Sequence, residues 1–353
     1  MGRLTGWAYR KRLRVPYTKI DDNLTDFPVL VKLTSANFNF NKALSNGYDI
    51  RFTSDDGVTL LSYERERHDS ANQKAEYHVK IPSVSITADT YFYMYYGNPS
   101  AGDGANPTDV WDSNFKGVWH LNRDPSGTAP QEKDSTSNGN DGASEGSMTS
   151  DDLVEGKVDG ALDFDGSDDY IGVNDDPTLD FGMENFTIEA LVKLDVEETN
   201  AAILSKTEAY DDDAVNYALD QDGSTGWRLT VSDGSGTSGH STIVEDATDY
   251  STGVWVYIVG EQLSDGTLKL FTNGELRTTG SVNYNTASNN GKLYIGSYYT
   301  KNFFDGIIDE VRISNIARSP AWIKASYNSG NATLVSYGNE EVLGNSVMFA
   351  CNF

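Results

Sequence analysis

The stretch FDGSDDYIGV, Phe164 to Val173, places Asp165, Asp168 and Asp169 between apolar residues. Carboxylates so grouped have three chemical uses: an acid and nucleophile pair, oxygen ligands for a hard cation, or the solvated groups of a tight turn. A second candidate lies in IIDEVRIS, where strict period two puts Ile307, Asp309, Val311 and Ile313 on one face of a strand. Asp309 is therefore expected among apolar neighbours, and a carboxylate there needs a compensating partner. Arg312 and Glu310 are expected on the opposite face. Glu189 stands alone in IEALVKL, and the neighbouring Asp309 and Glu310 project to opposite sheet faces, so neither segment presents a facing carboxylate pair. His68, His78, His120 and His240 are scattered and Cys351 is the sole cysteine, which leaves no metalloprotease pair, no local Cys–His dyad and no intrachain disulfide. Among aromatics, Trp227, Tyr210, Tyr298 and Tyr299 sit beside loop-like sequence, where rings either stack on sugars or pack into a rim. Trp7, Trp119 and Trp255 lie inside strand patterns and are expected in the core.

The elements that must position these residues are strands. Apolar residues recur with a period near two between clusters of Gly, Asn, Asp and Ser, the pattern of short antiparallel strands. In TLKLFTNGELRTTG, Leu268 and Leu270 lead into Asn273-Gly274, whose tolerance of positive φ predicts a two-residue hairpin turn. Asp56-Gly57 repeats that logic, and TYFYMYYGN (Thr90 to Asn98) predicts a strand buried on both faces. SPAWIKASYNSG is the best helical segment, with Ser319 to cap and Pro320 in the first turn. Composition shifts at GNPSAGDGANPTDVWD, so a boundary is placed between Gly97 and Asp112, and Asp124 to Ser150 reads as a long surface loop. The resulting division is 1–108, 109–341 and a tail over 342–353. That tail, with its apolar VLGNSVMFACNF, either pairs with a partner chain or packs on its own domain. Arg10, Arg12 and Arg14 share one face, a solvated edge or a contact for an acidic neighbour.

The formal charge of −26, from 53 acidic and 27 basic residues, argues against nucleic acid and anionic membranes as partners. Such acidity suits high salt, which screens self-repulsion, so a halophilic source is an expectation. As written, the sequence shows no secretory signal and no apolar run long enough for membrane insertion.

WAYRKRLRV, LTDFPVLVKL, YDIRFTSDDGVTLLSYERE and TYFYMYYGN together resemble an uncharacterised domain of bacterial, archaeal and viral surface proteins, domain of unknown function 2341. From GVWHL onward, GKVDGALDFDGSDDYIGV, ENFTIEALVKL, GVWVYIVG, LKLFTNGEL, LYIGS and FDGIIDEVRISNIARSPAWIKASY resemble the laminin-G-like branch of the concanavalin A-like lectin/glucanase superfamily. The resemblance implies an all-β chain of two β-sandwich domains, the second a concanavalin A-like jelly roll. It also implies a structural calcium ion, with Asp165 and Asp309 as leading ligands and Asp168 next. A hydrogen-bonded Asp at a bulge or strand end is the alternative for Asp309. The functional expectation is a non-catalytic structural or receptor-binding protein of a virion, exposed on its surface and homo-oligomeric, which contacts host glycans or other virion proteins. A cell-surface adhesin or a carbohydrate-binding module of a secreted protein is the first alternative, and a glycoside hydrolase the second.

Overall fold

The computed structural model describes residues 2–197, 199–209, 215–223, 226–234, 241–248, 250–282 and 290–344. It is nearly all strand, and it divides into two units. The first comprises the chain up to Val110 together with the segment from Asn328, and the second runs from Trp111 to Tyr327. The segment 328–341, expected in the second domain, thus belongs to the first.

The first unit is a sandwich of two antiparallel sheets. One orders Ser336–Val342, Tyr9–Val15, Thr90–Tyr96, Arg51–Ser54 and Leu60–Leu61; the other orders Leu24–Thr34, Lys74–Val84 and Tyr63–Asp69. Alternation builds the interior. Leu13 and Val15 are fully buried beside Phe92 and Met94, and Phe52 meets Tyr63 and Tyr77 of the facing sheet edge-on at centroid distances of 5.3 and 5.6 Å. Phe92 to Tyr96 are all buried, as the aromatic run predicts. The basic stripe is satisfied inside this unit. Arg10 reaches Glu341 at 2.8 Å, Arg12 Asp55 at 2.8 Å and Arg14 Asp89 at 3.2 Å, while Arg10 and Arg12 lie 4.1 and 3.6 Å from the ring centres of Tyr93 and Tyr91. Nor is their strand an edge, because Ser336–Val342 pairs along it.

The second unit is a larger sandwich. Its first sheet runs Leu153–Glu155, Gly160–Asp165, Asp305–Ser314, Phe186–Leu194, Trp255–Gln262, Thr267–Thr272 and Glu275–Ser281, with Phe115–Trp119 also pairing Asp305–Ser314. The second runs Ser241–Asp246, Trp227–Ser232, Val215–Asp222, Thr199–Thr207, Lys292–Ile295, Tyr170–Val173 and Gly142–Glu145. Ile188, Ala190, Val192, Leu219, Leu229, Ile258, Ile295 and Ile308 belong to one core cluster shared by the two sheets. The predicted hairpin is present, with φ of 51° at Asn273 and 82° at Gly274. The helix Pro320–Gly330 also forms, and the Ser319 hydroxyl accepts from the Trp322 N–H at 3.2 Å.

The strand Asp305–Ser314 departs from strict alternation. Glu310 has φ of 54°, and the pairing with Phe186–Leu194 skips one residue between Glu189 and Leu191. This β-bulge resets the phase, so Ile308, Val311 and Ile313 enter the core while Ile307 does not. Asp309 therefore does not share the core face with Val311 and Ile313, as strict period two required.

Candidate functional site

The turn that leads from Gly160–Asp165 of the first sheet to Tyr170–Val173 of the second carries the acidic cluster. Gly166, at φ 70°, makes the turn, and the Asp165 carboxylate accepts from the Ser167 and Asp168 N–H groups at 2.8 and 3.3 Å. Asp168 accepts from the Ser147 hydroxyl at 2.8 Å. One ligand oxygen from each of Asp165, Asp168 and Asp169 lies within 4.8 Å of the other two. Asp169 is 3% exposed, and its Oδ1 accepts no hydrogen bond. Burial, followed by the charge of Asp165, pushes its carboxyl up to about 6. Three hard oxygen donors with an orphaned buried oxygen among them suit a calcium ion, whose remaining ligands would be carbonyls and water. Of the expected ligands, Asp165 and Asp168 are brought together and Asp309 is not. In the register of the two strands Asp165 faces Asp305, and the Asp309 carboxylate instead accepts the Lys157 and Val158 N–H groups at 2.7 and 3.1 Å. Asp169 is the third carboxylate of the cluster. Its parity with the core residues Ile171 and Val173, which turns it inward, was a signal available in the sequence.

Glu189 and Glu310 belong to a buried ionic network. Tyr257 donates to Glu189, Arg312 donates to Glu310, and the Glu310 carboxylate also bonds His120 Nδ1. Glu189 and Glu310 are 3 and 2% exposed, and Arg312 pairs across from Glu189. Both acids are thus buried against fixed partners, an arrangement that holds their charge in place.

The predicted aromatic platforms divide. Trp227 is 1% exposed and belongs to the core with Leu229 and Val231, because its strand alternates from the first residue. Tyr298 is also buried, against Ala202, Val215 and Ala218. Neither ring offers a face to a sugar. Tyr210 lies outside the described residues. Tyr299 is half-buried and belongs to a chain of rings that passes through the buried Tyr294: Tyr299 to Tyr294 at 5.6 Å, Tyr294 to Tyr170 at 5.7 Å, and Tyr170 to Phe303 at 6.4 Å. Of these rings Tyr170 stands beside a groove of about 520 Å³ at the end of the seven-stranded sheet, lined by Asn140, Asp141, Glu145, Gly172, Asp175 and Lys292 among others. Asp141 is paired with Lys133 at 2.8 Å and Asp175 with the buried Lys206 at 2.6 Å.

Comparison with known proteins matches residues 165–324 to the concanavalin A-like lectin/glucanases superfamily, and residues 46–124 to a domain of unknown function, DUF2341. No curated protein matches the chain. Similar solved structures include the binding domain of Paraclostridial Mosquitocidal Protein 1, at 14% identity and TM-score 0.48 over 61% of this chain and 52% of that one. Domain 4 of AbnA, a GH43 extracellular arabinanase from Geobacillus stearothermophilus, solved with arabinotriose, gives 19% identity and 0.47 over 60% and 97%. The botulinum neurotoxin serotype G binding domain gives 15% and 0.46 over 61% and 50%. The chain spans about half the length of the two toxin domains. Its first unit therefore resembles the domain of unknown function 2341, and its second the concanavalin A-like lectin/glucanase superfamily.

Proposed function

We propose that this chain is a non-catalytic, surface-exposed binding protein whose second unit contacts glycans, with a virion tail, spike or capsid decoration as its setting and other virion proteins as its structural partners. The observation that carries the reading is the half-buried ring of Tyr170, which stands beside a polar groove and continues through Tyr294 to Tyr299. Aromatic faces next to carboxylate, amide and ammonium groups are what a sugar requires for stacking and for holding its hydroxyls. The ionic locking of Glu189 and Glu310 favours this reading over hydrolysis. A calcium ion at Asp165, Asp168 and Asp169 would brace the loop that leads directly into Tyr170.

A glycan array and titration calorimetry with Tyr170→Ala and Tyr299→Ala test the binding role. Each change should weaken binding at least tenfold without loss of fold, and an array with no hits at any salt concentration would refute it. Antibody labelling of intact virions against labelling of cell envelopes separates the virion setting from that of a cell-surface adhesin or a secreted carbohydrate-binding module. Light scattering checks the expected homo-oligomer.

A further inference from the structure

Gly172 lies in the middle of a strand, where glycine weakens a sheet, and nothing in its backbone requires glycine, since its φ is outside the positive region. The packing does not require it either. A Cβ at Gly172 would meet only ordinary contacts, with Tyr170 Cε2 at 3.6 Å, Glu145 Cγ at 3.9 Å and Lys292 Nζ at 4.0 Å. The other described strand glycines differ: at Gly117, Gly142, Gly160, Gly260, Gly280, Gly306 and Gly338 a Cβ would come within 3.2 Å of a neighbour. A strand glycine that neither conformation nor packing explains marks close approach by something else.

The surroundings indicate what approaches. Gly172 pairs with Ala143 on one side and Tyr294 on the other, so the groove floor has almost no side chain on its outer strand. Over that floor stand the exposed Glu145 and Lys292. Among the described residues neither is engaged in a salt bridge, whereas Asp141 and Asp175 at the groove margin are already neutralised by Lys133 and Lys206. One acceptor and one donor therefore flank the glycine, with the Tyr170 ring at its side.

We propose that the groove over Gly172 is a subsite for an uncharged, hydroxyl-rich sugar ring, whose edge lies against the backbone and whose hydroxyls are held between Glu145 and Lys292. This rests on the glycan-binding reading and narrows it to neutral sugars. With Asp141 and Asp175 paired, Glu145 and Asp176 still outnumber Lys292 in the groove lining, so a sugar carboxylate or sialate meets net repulsion.

The test uses the full chain with calcium and a panel of neutral gluco-, galacto-, manno- and arabino-oligosaccharides beside oligogalacturonate and sialyllactose. At least one neutral member should bind, and the acidic sugars should bind at least tenfold more weakly. Gly172→Val, which fills the floor with a residue that strands favour, should reduce binding at least tenfold with Tm within a few degrees of wild type. Glu145→Gln and Lys292→Ala should each reduce it three- to tenfold. Should Gly172→Val prove unstable, the two charge variants decide alone. Neutral-sugar binding that survives Gly172→Val, Glu145→Gln and Lys292→Ala but is lost in Tyr299→Ala overturns this subsite and leaves the glycan reading standing. Preference for the acidic sugars overturns the restriction to neutral ligands. No binding by any panel member overturns the subsite together with the reading on which it rests.

Discussion

Asp169 is the residue at which sequence and structure can be tested most directly. Its charged form is disfavoured by burial and by Asp165, so a divalent cation relieves a cost already present in the fold. Calcium should raise Tm and a chelator should reverse the rise. Asp169→Asn should abolish that response while stabilising the metal-free protein by about 1–2 kcal/mol, because it removes a buried charge of similar shape. Differential scanning calorimetry with and without calcium checks both. His68 offers a pH test in the first unit. It packs against Phe38 and Phe40 and bonds the Tyr77 hydroxyl at 2.6 Å, and burial lowers its pKa to about 4. Between pH 6.5 and 4 the unfolded chain takes up a proton that the folded one refuses. The contribution of a neutral His68 is thus complete above about pH 6.5 and is lost as pH falls toward 4, at a cost of roughly 1–3 kcal/mol. Urea titrations of wild type against His68→Gln at pH 7 and pH 4.5 should show a steeper loss in the wild type. At this scale the sequence revealed residue chemistry better than residue exposure. Asp165 and Asp168 share one turn, but with Asp169 in place of Asp309, and Trp227 and Tyr298, for which nearby Gly and Ser leave sugar stacking and packing both open, are buried.

At the scale of elements, hairpins and the helix were legible because their signals are local: Asn273-Gly274 needs positive φ, and Ser319 and Pro320 begin a helix. The bulge at Glu310 was legible only as the alternative to a metal ligand at Asp309. No residue type forces it, and it appears only through the register with Phe186–Leu194. Its effect is to free Asp309 to fasten the backbone of Lys157 and Val158 to the sheet. Asp309→Ala leaves two amide groups without an acceptor and should cost about 2–4 kcal/mol, whereas Asp309→Asn keeps an acceptor oxygen and should cost under half of that. Chemical denaturation of both variants gives the comparison, and equal losses would show that the carboxylate charge, not its hydrogen bonding, matters there.

For the whole molecule, the shift in composition after Gly97 located the passage into the second unit near Val110, but the return of the segment from Asn328 was hidden, since strand partners far apart in sequence leave no local trace. Ser336–Val342 contributes Glu341 to Arg10, and Glu340 to Lys42 and to the Tyr96 hydroxyl. Removing everything beyond Val335 should therefore lower the stability of the first unit and leave that of the second nearly unchanged. Hydrogen exchange resolved by unit would detect this, and faster exchange in the strands from Phe186 to Gln262 would contradict it. The charge of −26 makes a further prediction: Tm should climb as sodium chloride rises from 10 mM to 1 M, because screening relieves repulsion among the carboxylates.

Tyr9 lies opposite Val342, so tension applied to the chain from outside these two residues pulls on the same end of one antiparallel ladder. Its rungs would part singly, in the manner of a zipper, and the intervening sandwich from Trp111 to Tyr327 would carry no load until they had opened. A chain under tension would yield first in the strand pair of the first unit, which would close again once the load fell, while the second sandwich stayed folded.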